Sequence, residues 1–230
     1  MTSSSDFEQG QELDDAPKNV ANASKWGFII YRCDYQSDDA WKEFIDGWTA
    51  IVKQKLRESY KDSDKLLQTM ELTVRDDRSL DGASIEKVGM LHAAWAESDE
   101  IMAEQMEAGR TGTPSLARYS YCVHVDTASL NSCLKYFSLS QNQKDAFYLS
   151  TQDPAIGIAA YVNLVCTPYP RPINQDETDE EEGSDYSDDA PVSIKVHLPT
   201  VLPEVYGHVE ALYDIWARGD TQDRDGVVFN

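Results

Sequence analysis

The sequence predicts an α+β fold: a ferredoxin-like, split βαβ two-layer sandwich with an inserted helix and a C-terminal strand–helix extension. Three observations lead there. A strand, helix and strand succeed one another between Trp26 and Val74. The same succession returns from Arg118 to Val165. Between the two units, Val88, Leu91, His92 and Trp95 form one more helical stripe.

The elements follow from side-chain period. Trp26–Cys33 is apolar on both alternating sets, which suits a central strand covered on both faces. Ser37 and Asp38 suit a helix start, and Trp41, Phe44, Ile45, Trp48, Val52 and Leu56 recur at three and four. That spacing predicts an amphipathic helix over 38–59. Met70, Leu72 and Val74 alternate with polar residues, as a half-buried strand does. Asp81-Gly82 marks a turn and Ser84 a cap before a helix over 85–98. Gly109–Pro114 breaks the chain. Tyr119, Tyr121, Val123 and Val125 then alternate in a strand from Arg118. Asp126 or Thr127 caps a short helix carrying Leu130, Cys133, Leu134 and Phe137. Phe147–Ser150 is a short extended piece. Ile156–Val165 is a second strand apolar on both faces. Val192, Ile194 and Val196 alternate in a further strand. Pro199 and Pro203 bracket a turn, and Val205, Val209, Leu212, Tyr213 and Trp216 stripe a terminal helix. In the split plan the helices cover one face only. The inserted helix, the terminal helix or a second subunit must cover the other, which makes a homodimer through the sheet face an expectation.

The expected organisation is a disordered tail over 1–23, one domain over 24–218 and a loose tail over 219–230. An acidic disordered loop interrupts the domain at 174–190. The formal net charge of the 230 residues is −21. Residues 1–24 carry −4 of it and residues 176–189 carry −9. Over half the excess therefore lies in two polar segments. This balance argues against nucleic acid, which needs clustered Lys and Arg, and against anionic membranes. It permits a basic protein partner, and the aromatic core permits an apolar one. Thr178, Ser184 and Ser187 lie among acids that suit an acidophilic kinase. No run reaches the roughly 18 apolar residues of a membrane span, and MTSSSDFEQGQELDD does not read as a leader. Cys33, Cys122, Cys133 and Cys166 form no C-x-x-C pair, which points to reduced thiols in the cytoplasm or nucleus.

The sequence carries no recognisable catalytic motif. His92, His124, His197 and His208 make no zinc spacing, no glycine-rich phosphate loop is present, and no metal or cofactor is expected. His92, on an apolar helix face, reads as a core histidine. His124 and His197 lie on polar strand sets. Were their strands neighbours, the rings would converge with Asp126 in an acid/base or metal site; two unrelated imidazoles are the plainer reading. Tyr121 completes the catalytic candidates. Arg32, Arg75 and Arg118 fall within or beside core strands. With Tyr31 they form a candidate ligand-binding set, since a guanidinium by an aromatic sheet face grips carboxylate or phosphate. The plainer reading for Arg32 is an internal salt bridge to Asp34, Asp76 or Asp77.

The WGFIIYR strand, the Trp41–Trp48 helix, the LTVRDDRSLDGAS turn and the ARYSYCVHVD strand resemble a group of uncharacterised proteins from filamentous fungi. The resemblance covers about residues 25–137. It implies a compact intracellular fungal domain and assigns no catalytic residue. The leading expectation is a non-catalytic protein-interaction or ligand-binding domain. The alternative is a cofactor-free enzyme of the dimeric α+β barrel type, with a pocket on the sheet face and His124, Tyr121, Arg32 and Asp126 around it.

Overall fold

The computed structural model describes residues 18–21, 23, 25–99, 101, 103–104, 117–144, 160–167, 193–207 and 227–228. The acidic loop, the Gly109–Pro114 break, the extended piece at Phe147–Ser150, the start of the 156–165 strand and the terminal helix beyond Gly207 lie outside them. So do residues 1–17, His208 and most of the C-terminal tail.

In chain order the elements are α1 (Lys18–Ala21), β1 (Ile29–Arg32), α2 (Asp38–Ser59), α3 (Ser63–Thr69), β2 (Thr73–Arg75) and α4 (Ile85–Ala96). They continue with α5 (Ala117–Ser120), β3 (Tyr121–Val125), α6 (Thr127–Phe137), β4 (Tyr161–Cys166), β5 (Ser193–His197) and β6 (Val227–Val228). A kinked helical segment, Leu198–Val205, follows β5.

The fold is mixed α and β, but the split βαβ order is not formed. The six strands lie in the order β2-β1-β3-β4-β5-β6. β1 is parallel to both β2 and β3, whereas β4 is antiparallel to β3 and to β5. The cause is α4. A split βαβ unit joins its second and third strands by a hairpin, which makes the sheet antiparallel. Here a 12-residue helix lies between β2 and β3. The chain therefore returns to its starting end, and β3 runs parallel to β1.

Both faces of β1 are covered. Phe28 and Ile30 pack with Val123, Val125 and the α2 residues Phe44, Trp48, Val52 and Leu56. Ile29, Tyr31 and Cys122 pack with Val88 of α4, Leu80 and Ala83. The structure thus has three layers rather than two, and the inserted helix supplies the second cover. Each fully buried aliphatic or aromatic side chain here contributes about 1.5–3 kcal/mol.

Local chemistry sets the boundaries. The Ser37 hydroxyl accepts from the Ala40 amide at 3.1 Å and starts α2. The Ser84 hydroxyl accepts from the Lys87 amide at 3.3 Å and starts α4. Asp126 accepts from the Ser129 amide at 2.8 Å while the Ser129 hydroxyl accepts from the Asp126 amide at 2.9 Å, a reciprocal cap on α6. The strand expected from Trp26 starts at Ile29 because Gly27 has φ of 116°. A Cβ at Gly27 would lie 2.5 Å from the Glu71 carbonyl oxygen. Trp26 keeps only an isolated bridge to Met70. The strand expected from Arg118 starts at Tyr121, because Ala117–Ser120 coils to aim Arg118 inward. The ordered chain also reaches back into the expected N-terminal tail. Lys18–Ala21 forms a helical turn, and Val20 is buried in the core.

Two tryptophans differ in one bond. The Trp26 indole donates to the Leu66 carbonyl at 2.9 Å, whereas the buried Trp48 indole N–H has no acceptor among the described residues. Substituting Phe removes a satisfied donor in one case and an unsatisfied one in the other. Trp26→Phe should cost about 1 kcal/mol more than Trp48→Phe in urea unfolding. Equal costs would contradict this assignment. Gly27→Ala should cost about 1–3 kcal/mol by the same measurement, from the strained φ and the Glu71 clash.

Candidate functional site

Open sheets bind ligands at the carboxyl ends of neighbouring strands whose chains leave toward opposite faces. Here β1 and β3 lead into α2 and α6 on the same face, so that crevice is not formed between them, and their carboxyl ends are tied together. The Thr127 hydroxyl, at the start of α6, donates a short bond to the Asp34 carboxylate just after β1. The Gln36 amide donates to the other Asp34 oxygen at 3.1 Å. The Cys33 amide donates to the Val125 carbonyl at 2.9 Å.

Arg32 sits at the same end, on the α2 side, and is 3% exposed. Its Nη2 donates to Asp38 at 2.6 Å, its Nη1 to Asp76 at 3.4 Å, and its Nε to the Asp34 carbonyl at 2.9 Å. Its guanidinium lies 4.3 Å from the Tyr35 ring centre and 5.2 Å from that of Trp41. The Arg32 hydrogen bond and then its charge hold the Asp38 carboxyl below its usual value. Arg32 is thus committed to protein partners. Of the three acids expected by sequence, Asp76 is the one that gives it a carboxylate; Asp38 gives the other.

The catalytic candidates do not converge. β4 lies between the strands of His124 and His197. His124 is buried on the α4 side, opposite Tyr31 and Asn163 in register. Its Nε2 lies 2.9 Å from the Ala83 carbonyl and its Nδ1 lies 3.1 Å from the Asn163 side-chain nitrogen. This pattern assigns the proton to Nε2, with the Asn163 amide donating to Nδ1. The imidazole pins the 78–84 turn to the sheet. His197 lies at the end of β5 against Tyr136, with ring centres 5.9 Å apart. Asp126 serves as the α6 cap. Burial pushes its carboxyl up, but the Ser129 donors, with the Asn163 amide, bring it below its usual value. Tyr121 belongs to the α2-side core, on the face opposite His124.

Three of the four ligand-set candidates do come together, under α4. Tyr31 pairs in register with Arg75. The guanidinium carbons of Arg75 and Arg118 lie 5.4 and 5.7 Å from the Trp95 ring centre. Tyr119 stacks on Trp95, and His92 lies between Trp95 and Tyr31. Arg118 is 1% exposed and fully engaged. Its Nη1 donates to the Gly27 carbonyl at 3.0 Å, its Nη2 to the Thr73 hydroxyl at 2.8 Å, and its Nε to Glu104 at 3.1 Å. The same Glu104 oxygen accepts from the Tyr119 hydroxyl at 2.8 Å, and Lys25 reaches the other oxygen at 3.4 Å. This is an internal charge network. Burial, then the Arg118 and Arg75 charges, push the His92 ring down to about 3. Burial, then Lys55, pushes the His197 ring down to about 4. Burial raises the thiols of Cys33 and Cys133 to about 12, which leaves them inert.

An outward-facing groove lies between α2 and α6 among the described residues. It has a volume of about 490 Å³ and is lined by Asp39, Lys42, Glu43, Asp46, Gly47 and Phe137. Gly47 makes it possible: a Cβ there would lie 2.7–2.9 Å from the Phe137 ring. Asp39, Glu43 and Asp46 project from one side of α2, spaced four and three. The Lys42 ammonium is already paired with Asp46. The groove escaped the sequence reading, although Gly47 in the interior of a strong helix is a signal. Glycine costs about 1 kcal/mol there and calls for a packing reason.

No group of His, Cys, Asp and Glu suited to a metal ion occurs among the described residues, and no helix among them is long and apolar enough to cross a membrane. Comparison with known proteins finds no matching family model, curated protein or solved structure.

The network predicts two outcomes. Arg118→Ala strips a donor from Glu104, from the Gly27 carbonyl and from the Thr73 hydroxyl and leaves the volume of a buried side chain empty, and should cost about 3–5 kcal/mol in urea unfolding. Arg118→Met with Glu104→Gln should recover part of that loss; a pair as damaging as the single change would refute the network. The second outcome concerns pH. His92 and His197 are neutral in the fold, at about 3 and about 4, against 6.5 when exposed. Between those values the unfolded chain binds more protons. Stability is therefore full above pH 6.5 and drains as pH falls toward 4. Thermal unfolding should show Tm dropping across this window, with a shallower drop in His92→Leu/His197→Leu.

Proposed function

We propose that this chain is a non-catalytic protein-interaction domain that takes a basic segment of a partner protein in the α2–α6 groove. One observation carries the reading: the half-buried Phe137 ring lies beside three exposed carboxylates, and Lys42, the one cation among the lining residues, pairs with Asp46 and leaves Asp39 and Glu43 to a partner. An Arg or Lys side chain entering the groove meets the ring by cation–π attraction, about 0.5–1 kcal/mol at an exposed site, and the carboxylates by charge. The −21 net charge steers a basic partner inward and repels nucleic acid and anionic membranes. An apolar partner has less support. Met90 and Leu91, at 68% and 41% exposed, are two side chains rather than a patch.

The enzyme reading needed a pocket on the sheet face. Tyr31, Cys122 and His124 lie buried on the α4 side, and Ile30, Val123 and Val125 pack on the α2 side. That packing favours the interaction reading. All four cysteines are free, which supports a reducing compartment, the cytoplasm or nucleus. The resemblance to fungal proteins agrees with this placement and adds no activity.

The test is calorimetric titration with an Arg-rich synthetic peptide at two salt concentrations. Binding should weaken with salt. Glu43→Lys should weaken it about tenfold, a loss of ~1.4 kcal/mol. Phe137→Leu should weaken it at a temperature where the variant is still fully folded. Binding that ignores both substitutions and disappears when residues 174–190 are deleted would assign the interaction to the acidic segment and overturn the groove.

A further inference from the structure

The groove holds its charges in a fixed row. Asp39, Glu43 and Gly47 stand four residues apart on α2, and each step rises about 6 Å along the helix axis. Residues at this spacing form one ridge on a helix surface. The Phe137 ring occupies the Gly47 level, where a Cβ would lie 2.7–2.9 Å from its carbons. Ring, first carboxylate and second carboxylate therefore follow one another at even steps. The row cannot shift, because Trp41, Phe44 and Trp48 on the other side of the same turns are buried in the core.

The neighbouring acids are taken. Asp38 pairs with Arg32 at 2.6 Å, and Asp46 pairs with Lys42. The carboxylates of Asp39 and Glu43 have no such partner among the described residues. In a chain of −21, two unpaired acids alone mark nothing. Here they are aligned with an aromatic ring in a groove of about 490 Å³.

We infer that the groove reads two cations of its partner at a set spacing: an Arg over the Phe137 ring beside Glu43, and a second Arg or Lys at Asp39, about 12 Å away. This rests on the groove being the docking site for a basic segment. An extended or polyproline segment advances about 3.1–3.4 Å per residue, so the two cations lie four residues apart in the partner. In a strand, residues four apart also point to the same side. A helical segment needs eight residues for that span and turns the two side chains about 80° apart, so the extended form fits better. The two positions differ in kind. A planar guanidinium stacks on the ring while its fork donates to Glu43, which an ammonium cannot match. At Asp39 only charge is met, and Lys serves as well as Arg.

The experiment titrates the full chain with Pro- and Ser-rich peptides of equal length, each carrying two Arg that are adjacent, four apart or eight apart. A single-Arg peptide is the reference. The four-apart peptide should bind about threefold tighter than the other two, as one added surface ion pair allows. Asp39→Asn should abolish that advantage and leave the single-Arg peptide little changed. Asp38→Asn removes the same charge one residue away, outside the groove lining, and should leave the ranking intact. Replacing each Arg in turn by Lys should weaken binding at one position only, and Phe137→Leu should cancel that difference. Equal affinity at all three spacings, or equal effects of Asp38→Asn and Asp39→Asn, overturns the paired reading and leaves a general basic docking site. No binding by any Arg peptide overturns the groove itself, and the pair with it.

Discussion

The structure depends on the double-sided burial of β1. Phe28, Ile29 and Ile30 are fully inaccessible and alternate between the two faces. A strand of this kind cannot lie at an edge or under a single layer. It requires a parallel neighbour on each side and helices above and below. α2, α3 and α6 meet the need on one face, and α4 with the 78–84 turn meets it on the other. The three-layer arrangement is thus a consequence of one four-residue strand, and the His124–Ala83 bond fastens the second layer to the sheet.

Charge is sorted by sign across this frame. The arginines beside the central strands face inward. Arg118 is held by Gly27, Thr73 and Glu104, while Arg32 is held by Asp34, Asp38 and Asp76. Burying a guanidinium is tolerable only when its donors are met and its charge is paired, and both conditions hold. The cost of this arrangement is that these two guanidinium groups are unavailable outside. The exposed chemistry of α2 and of the loops after β1 and β2 is therefore mostly carboxylate. The acidic surface follows from composition, 41 Asp and Glu against 20 Lys and Arg.

Much of the fold was legible in the sequence because period and capping are local. The α2 helix was read to its ends, since Ser37 and the Trp41–Leu56 stripe report directly on geometry. The Asp126 cap and the alternation in β3 and β5 were equally plain. Strand order was not legible. Nothing local in Thr73–Arg75 tells whether its chain goes on to a hairpin or a crossover, and that choice made β3 parallel. Arg118 and Tyr119 continue an alternating pattern and were read as strand. Their partners, Glu104 and Trp95, are distant in sequence and outweighed the local preference. Tyr31, Arg75 and Arg118, three of the four residues expected to bind a ligand, lie together under α4, and Arg118 bonds only to protein groups there. A sequence reports which side chains are hard to expose, not whether the partner that satisfies them is internal or a ligand.

The same limit explains why the groove was invisible. Its floor is Phe137 and its rim is Asp39, Glu43 and Asp46, which lie about ninety residues earlier in the chain. Each element looks ordinary alone: a ring on an amphipathic helix, acids on a solvated face. The site exists because Gly47 lets two helices approach until the ring fills the space of an absent Cβ. In the helix interior glycine sacrifices stability, about 1 kcal/mol against alanine. That cost falls where a Cβ would meet the Phe137 ring, so the shape of the groove is tied to a single position. The pair found here seats a large aromatic ring against α2 and sets it beside three carboxylates.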